Sequence, residues 1–99
     1  MKVRYTDSAA DEIDNIFAYI AQRNPIAARS VVARVEQTVS ALADFPNMAQ
    51  MTDEPEIRRM PVGRYPLLVF YTVENMEIVI LHVRHTSRQW PGREGPETP

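Results

Sequence analysis

Residues 65–85 read YPLLVFYTVENMEIVILHVRH, and this run decides the fold. The first part, YPLLVFYTV (65–73), is rich in β-branched and aromatic residues and is apolar at odd and even positions alike. That is the pattern of a strand shielded on both faces. Glu74-Asn75 predicts a tight turn, and MEIVILHVRH (76–85) predicts a second strand of the same type. Upstream, EIRRMPV (56–62) predicts a shorter strand, which Pro61 assigns to an edge or a strand end. Val62-Gly63-Arg64 is the turn between them. Three strands joined by short turns predict an antiparallel meander. Side chains alternate along a strand, so Ile78, Ile80, His82 and Arg84 are expected on one face of the last strand and Val79, Leu81 and Val83 on the other.

The N-terminal half follows a different period. MKVRYT (1–6) alternates and predicts a short strand. Ser8 with Asp11 is a loose capping box opening a helix over 8–22, in which Ala9, Ile13, Ile16, Phe17 and Ile20 form one apolar stripe. Asp11, Glu12 and Asp14 near its start and Arg23 at its end suit the helix macrodipole. Asn24 caps a second helix with Pro25 at its first position, and Val31, Val32, Val35, Val39, Leu42 and Phe45 carry it to Pro46. Two helices with so short a joint fold back as an αα-hairpin. PNMAQMTDEPE (46–56) predicts a loop. The fold class is therefore α+β in the order β-α-α-β-β-β, a small antiparallel sheet with a helical hairpin packed on one face. Residues 1–90 are expected to form one domain, and the Pro/Gly/Glu run 91–99 a flexible C-terminal tail. A hairpin covers one side of such a sheet. The other side should expose apolar residues grading into His82 and Arg84, which marks a partner-binding surface.

Composition excludes several function classes. The absence of cysteine removes disulfides, thiolate metal sites and thiol nucleophiles. No apolar segment follows the N-terminal basic residues, and no run approaches the ~18 apolar residues of a membrane span, so a cytoplasmic protein is expected. A net charge of −2 argues against a whole-molecule nucleic-acid binder. The stretch 57–93 nevertheless holds six arginines against only Glu74 and Glu77, a local basic patch. Two readings of it stay open. As a ribonuclease site it would use His85, Arg84 and Arg64, with Glu74 and Glu77 as the only bases nearby. As a binding edge it would use Arg58, Arg59, Arg64, Ile78, Ile80, His82, Arg84, Arg88 and Trp90, because arginine and tryptophan are favoured at interfaces. A single lysine, Lys2, and the distance of both glutamates from His85 weigh toward binding. His85 then reads as a hydrogen-bonded residue at the sheet end. Two histidines without clustered carboxylates do not make a metal site, and Asp7, Asp11 and Asp14 read as a solvated helix start; no metal or cofactor is expected.

Three segments together resemble the RelE/ParE superfamily of toxins from type II toxin–antitoxin modules, in its ParE-like branch. They are YTDSAADEIDNIFAYIAQRNPIAA in the hairpin, LADFP at the end of the second helix, and IRRMPVGRYPLLVFYTVENMEIVILHVRHTSR over the meander. The run RMPVGRYP (59–66) followed by Arg84-His85-x-x-Arg88 carries most of the specificity. One departure stands out: where the family commonly has Gly-Arg after Phe-Pro, this chain has Asn47-Met48-Ala49-Gln50. The resemblance implies a toxin with a role in bacterial stress response, neutralised by a cognate antitoxin of the ParD-like, ribbon-helix-helix kind that contacts DNA. It implies DNA gyrase as the target and a protein inhibitor rather than an enzyme. For RelE-like relatives the implied activity is instead ribosome-dependent mRNA cleavage, and a non-toxic antitoxin-binding relative is a further alternative.

Overall fold

The computed structural model describes residues 1–86. The elements are β1 (Lys2–Tyr5), α1 (Asp7–Ala21), α2 (Pro25–Asp44), β2 (Gln50–Met51), β3 (Arg58–Val62), β4 (Tyr65–Glu74) and β5 (Glu77–His85). They form one five-stranded sheet in the order β1-β5-β4-β3-β2. The meander β3-β4-β5 is antiparallel, as the turn spacing requires, whereas β1 pairs parallel to β5 and makes the sheet mixed. The segment expected as loop contributes β2, two residues that pair with Arg58 and Arg59.

Local chemistry sets the element ends. Thr6, rather than Ser8, caps α1: its Oγ1 accepts the Ala9 N–H at 3.1 Å. Asn24 caps α2 through Oδ1 and the Ala27 N–H at 3.0 Å, with Pro25 in the first turn where its missing N–H costs nothing. Helix α2 stops at Asp44, because the residue before Pro46 is pushed out of the helical region. The β4–β5 turn centres on Asn75 and Met76, at φ 49° and 64°. Asparagine tolerates that conformation; methionine there carries strain. Gly63 turns β3 into β4 at φ 57°, a left-handed conformation that favours glycine; a Cβ there would meet only the flexible end of Arg34, so the backbone sets the requirement.

The core lies between the hairpin and one sheet face. Ile16, Val31, Val35, Val39 and Leu42 of the helices meet Leu67, Val69 and Tyr71 of β4 and Ile78, Ile80 and Val83 of β5. The β5 set does not keep a period of two. Tyr71 pairs with Ile80 but Phe70 pairs with His82, so Leu81 is an extra residue, a β-bulge that shifts the phase of the strand. Ile78 and Ile80 lie on the helix side before the bulge, and Val83 joins them after it. This corrects the expected face: Ile78 and Ile80 are 0% exposed and belong to the core, not to a binding surface.

Tyr71 also ties the sheet to the segment after α2. Its hydroxyl donates to the Pro46 carbonyl at 2.7 Å. Burial pushes the phenol above its ordinary value of 10, with the Arg58 charge working the other way. The folded chain therefore holds that proton more tightly than the unfolded one. The contribution is complete below about pH 10 and is lost as pH rises through the raised value. Tyr71→Phe is expected to cost about 1 kcal/mol at neutral pH by losing the hydrogen bond. It should also flatten the alkaline loss of stability in urea unfolding; a variant with a steeper alkaline fall would contradict this account.

Candidate functional binding groove

The sheet face away from the helices carries a groove of about 650 Å³. Ile57, Phe70 and Leu81 give it an apolar floor, Arg59, His82 and Arg84 give it cations, and Asp53 and Glu54 stand at its rim. Register explains the arrangement. Arg59 pairs with Phe70 and Phe70 with His82, so one lateral row presents guanidinium, phenyl and imidazole in turn. In the next row Leu68 pairs with Arg84. The bulge turns Leu81 and His82 toward the groove together, which an unbroken strand cannot do.

A carboxylate from α1 completes the cationic side. Glu12 Oε1 accepts the Val83 backbone N–H at 2.9 Å, and Nδ1 of His82 lies 3.3 and 3.2 Å from its two oxygens. A carboxylate only accepts, so this contact calls for the proton on Nδ1; Arg84 Nη2, 3.3 Å from the same nitrogen, then has no lone pair there to donate to. Arg84 Nε lies 3.5 Å from Glu12 Oε2. The Glu12 side chain is 18% exposed against 37% for His82 and 39% for Arg84: the acid is shielded while the bases reach solvent. Sequence reasoning read Glu12 only as a helix-start acid. Its neighbours lie about 70 residues away in the chain, and no local pattern signals them.

The other expected site residues separate. Arg58 is spent on structure: Nη1 donates to Ala49 O at 2.7 Å and Asn47 O at 3.2 Å, holding the backbone that leads into β2. Arg59, its exposed neighbour, faces the groove. Arg64 sits exposed in the β3–β4 turn, outside the groove lining. His85 lines a small apolar cavity on the helix side with Ile16, Tyr19, Ile20, Val31 and Leu67. The conditional catalytic trio His85, Arg84 and Arg64 is thus not brought together, since Arg84 and His85 face opposite sides of the sheet. Glu74 and Glu77 bind Arg4, at 3.6 and 3.3 Å, beside the β4–β5 turn. Arg88, Trp90 and the tail 91–99 lie outside the described residues. Among the described residues no group of three or more His, Asp or Glu is placed to hold a metal ion, and no helix is long and apolar enough to cross a membrane.

The two adjacent arginines give a direct check. Arg58→Ala is expected to lose about 1.5–3 kcal/mol, because charged hydrogen bonds to two carbonyls disappear. Arg59→Ala is expected to stay within about 0.5 kcal/mol of the parent. Chemical denaturation measures both, and the reverse order would contradict the assignment of structural and groove roles.

Comparison with known proteins agrees with this architecture. Residues 3–90 match the family model described as ParE toxin of type II toxin-antitoxin system, parDE. The chain is 33% identical over 90 residues to Y4kP of Sinorhizobium fredii, named as a candidate toxin, covering 91% of this chain and 93% of that one. A chain of the chromosomal ParDE TA system from P. aeruginosa superimposes with a TM-score of 0.79 at 22% identity, covering 88% and 97% of the two chains. A chain of the intact E. coli RelBE toxin–antitoxin complex superimposes with a TM-score of 0.64 at 9% identity, covering 88% and 98%.

Proposed function

The chain belongs to the ParE toxin family of type II toxin–antitoxin systems, and on that premise we propose that it acts by binding DNA gyrase, with the open sheet groove as its binding surface and a cognate antitoxin as its neutraliser. The observation that carries the binding mode is the groove itself. It combines an apolar floor with exposed guanidinium groups, the composition of a protein-recognition patch. Phe70 and Leu81 offer apolar contact, while Arg59 and Arg84 suit a partner's carboxylates through bidentate pairing. An acidic antitoxin segment of a ribbon-helix-helix protein fits that surface. The choice of gyrase rests on family membership.

One observation favours a second reading, a ribosome-dependent mRNA endonuclease. Glu12 sets a carboxylate beside an imidazole and a guanidinium, groups that RNA cleavage through a 2′-hydroxyl employs. Against it, Glu12 is shielded and already accepts from Val83 and His82, so it is poorly placed to take a substrate proton.

Induction of the chain without antitoxin in a bacterial host separates the two. Gyrase–DNA cleavage complexes and the DNA-damage response should rise early while translation continues. Immediate cleavage of mRNA within codons, with intact chromosomes, would overturn the gyrase reading.

A further inference from the structure

Strand β5 outruns its neighbour. The β1–β5 pairing ends at Tyr5 opposite Ile80, and the chain then leaves the sheet for α1. From Leu81 onward β5 has no strand on that side among the described residues, and exposed backbone polar groups on an edge need partners. The start of α1 supplies them. The Thr6 N–H donates to Ile80 O at 3.0 Å, and its hydroxyl lies 3.1 Å from the carbonyl oxygens of both Ile80 and Leu81. Glu12, six residues further along, takes the Val83 N–H. One residue therefore holds the carbonyl side of the bulge and the other holds the amide after it.

The two staples differ in what else they touch. Thr6 caps its own helix and bonds only backbone groups among the described residues, not the groove cations. Glu12 contacts the side chains of both His82 and Arg84, the two groups that β5 sends into the groove. Across the groove, Arg59 makes no ion pair with a described residue. The polar half of the site thus divides into an oriented pair on β5 and an unclaimed guanidinium on β3.

We propose that Glu12 is a positioning residue of the groove: standing in for the strand that β5 lacks, it locks the bulge at Leu81 and fixes the direction in which His82 and Arg84 meet a bound partner. The proposal rests on the reading of the groove as the binding surface. It assigns Glu12 no proton transfer. It differs from a purely structural staple because the same carboxylate that satisfies the backbone also holds the recognition side chains. Glutamine in its place keeps an oxygen for the Val83 N–H but loses the charge that holds Arg84.

The test compares Glu12→Gln, Thr6→Ala, and the groove variants Arg59→Glu and Arg84→Glu, using side-chain nitrogen NMR and the inducer level at which growth stops. In the unmodified chain the Arg84 Nε–H and the His82 Nδ1–H should exchange slowly with water. In Glu12→Gln the Val83 amide should stay protected and the fold intact, while the Arg84 Nε–H signal moves to that of a free guanidinium. The inducer threshold should rise about tenfold, the change expected for one lost charged contact. Thr6→Ala should lower thermal stability yet leave the Arg84 signal and the threshold unchanged. Fast exchange of Arg84 and His82 in the unmodified chain would overturn the proposal, even if Glu12→Gln failed to fold. So would a Glu12→Gln chain with unaltered Arg84 signal and toxicity. Undiminished toxicity in Arg59→Glu and Arg84→Glu would instead overturn the groove reading, and the Arg84 signal would still report on Glu12 separately.

Discussion

The extra residue in β5 is the constraint on which the rest of the structure turns. A strand with a period of two can give its apolar set to one face only. This strand must serve a core at its start and a groove at its end. The bulge at Leu81 lets Ile78, Ile80 and Val83 all face the helices while His82 and Arg84 face away. A bulge leaves ladder groups unpaired, and those are costly unless satisfied. Here the hydroxyl of Thr6 and the carboxylate of Glu12 satisfy them, so the first turns of α1 do the work of a sixth strand.

The two faces of the sheet consequently differ in kind. One is covered by α1 and α2 and is closed, with Leu42, Val62, Val69, Tyr71 and Val83 fully buried. The other holds Leu68, Phe70 and Leu81 half-buried among arginines and a histidine. Arg4, tied to Glu74 and Glu77, partly offsets the negative charge at the β4–β5 turn end of that open face, and Arg58 is withdrawn to brace the segment before β2. What remains presented in the groove is a small set: Arg59, His82 and Arg84 over an apolar floor, with Asp53 and Glu54 at the rim. The groove therefore presents guanidinium groups at chosen positions although the chain as a whole carries a net charge of −2. Steering depends on local potential more than on the total.

Much of this was legible in the residues. Asn24-Pro25 marks the joint of the hairpin and Pro46 its end, because proline fixes its own backbone and restricts the residue before it, and the turns expected at 62–64 and 74–75 mark the meander. The placement of His82 and Arg84 together on the face away from the helices was also legible. Ile78 and Ile80 were misassigned because strict alternation was carried through Leu81. A bulge is set by pairing between strands and leaves no mark in a run where every residue is apolar. Glu12 escaped for a related reason: an acid in the first turns of a helix already has a sufficient local explanation, and its second role depends on β5. The two-residue β2 carries no strand signal of its own: its order comes from pairing with β3 and from Arg58 and Tyr71, which hold the backbone just before it.

The phase shift at Leu81 is open to direct measurement, since the chain contains no cysteine of its own. Single cysteines placed at Ile80, Leu81 and His82 can each be labelled with a thiol reagent under native conditions, with rates normalised to the unfolded chain. The bulged strand predicts protection at 80 and ready labelling at both 81 and 82. Unbroken alternation, with 80 and 82 reactive and 81 protected, would contradict the account.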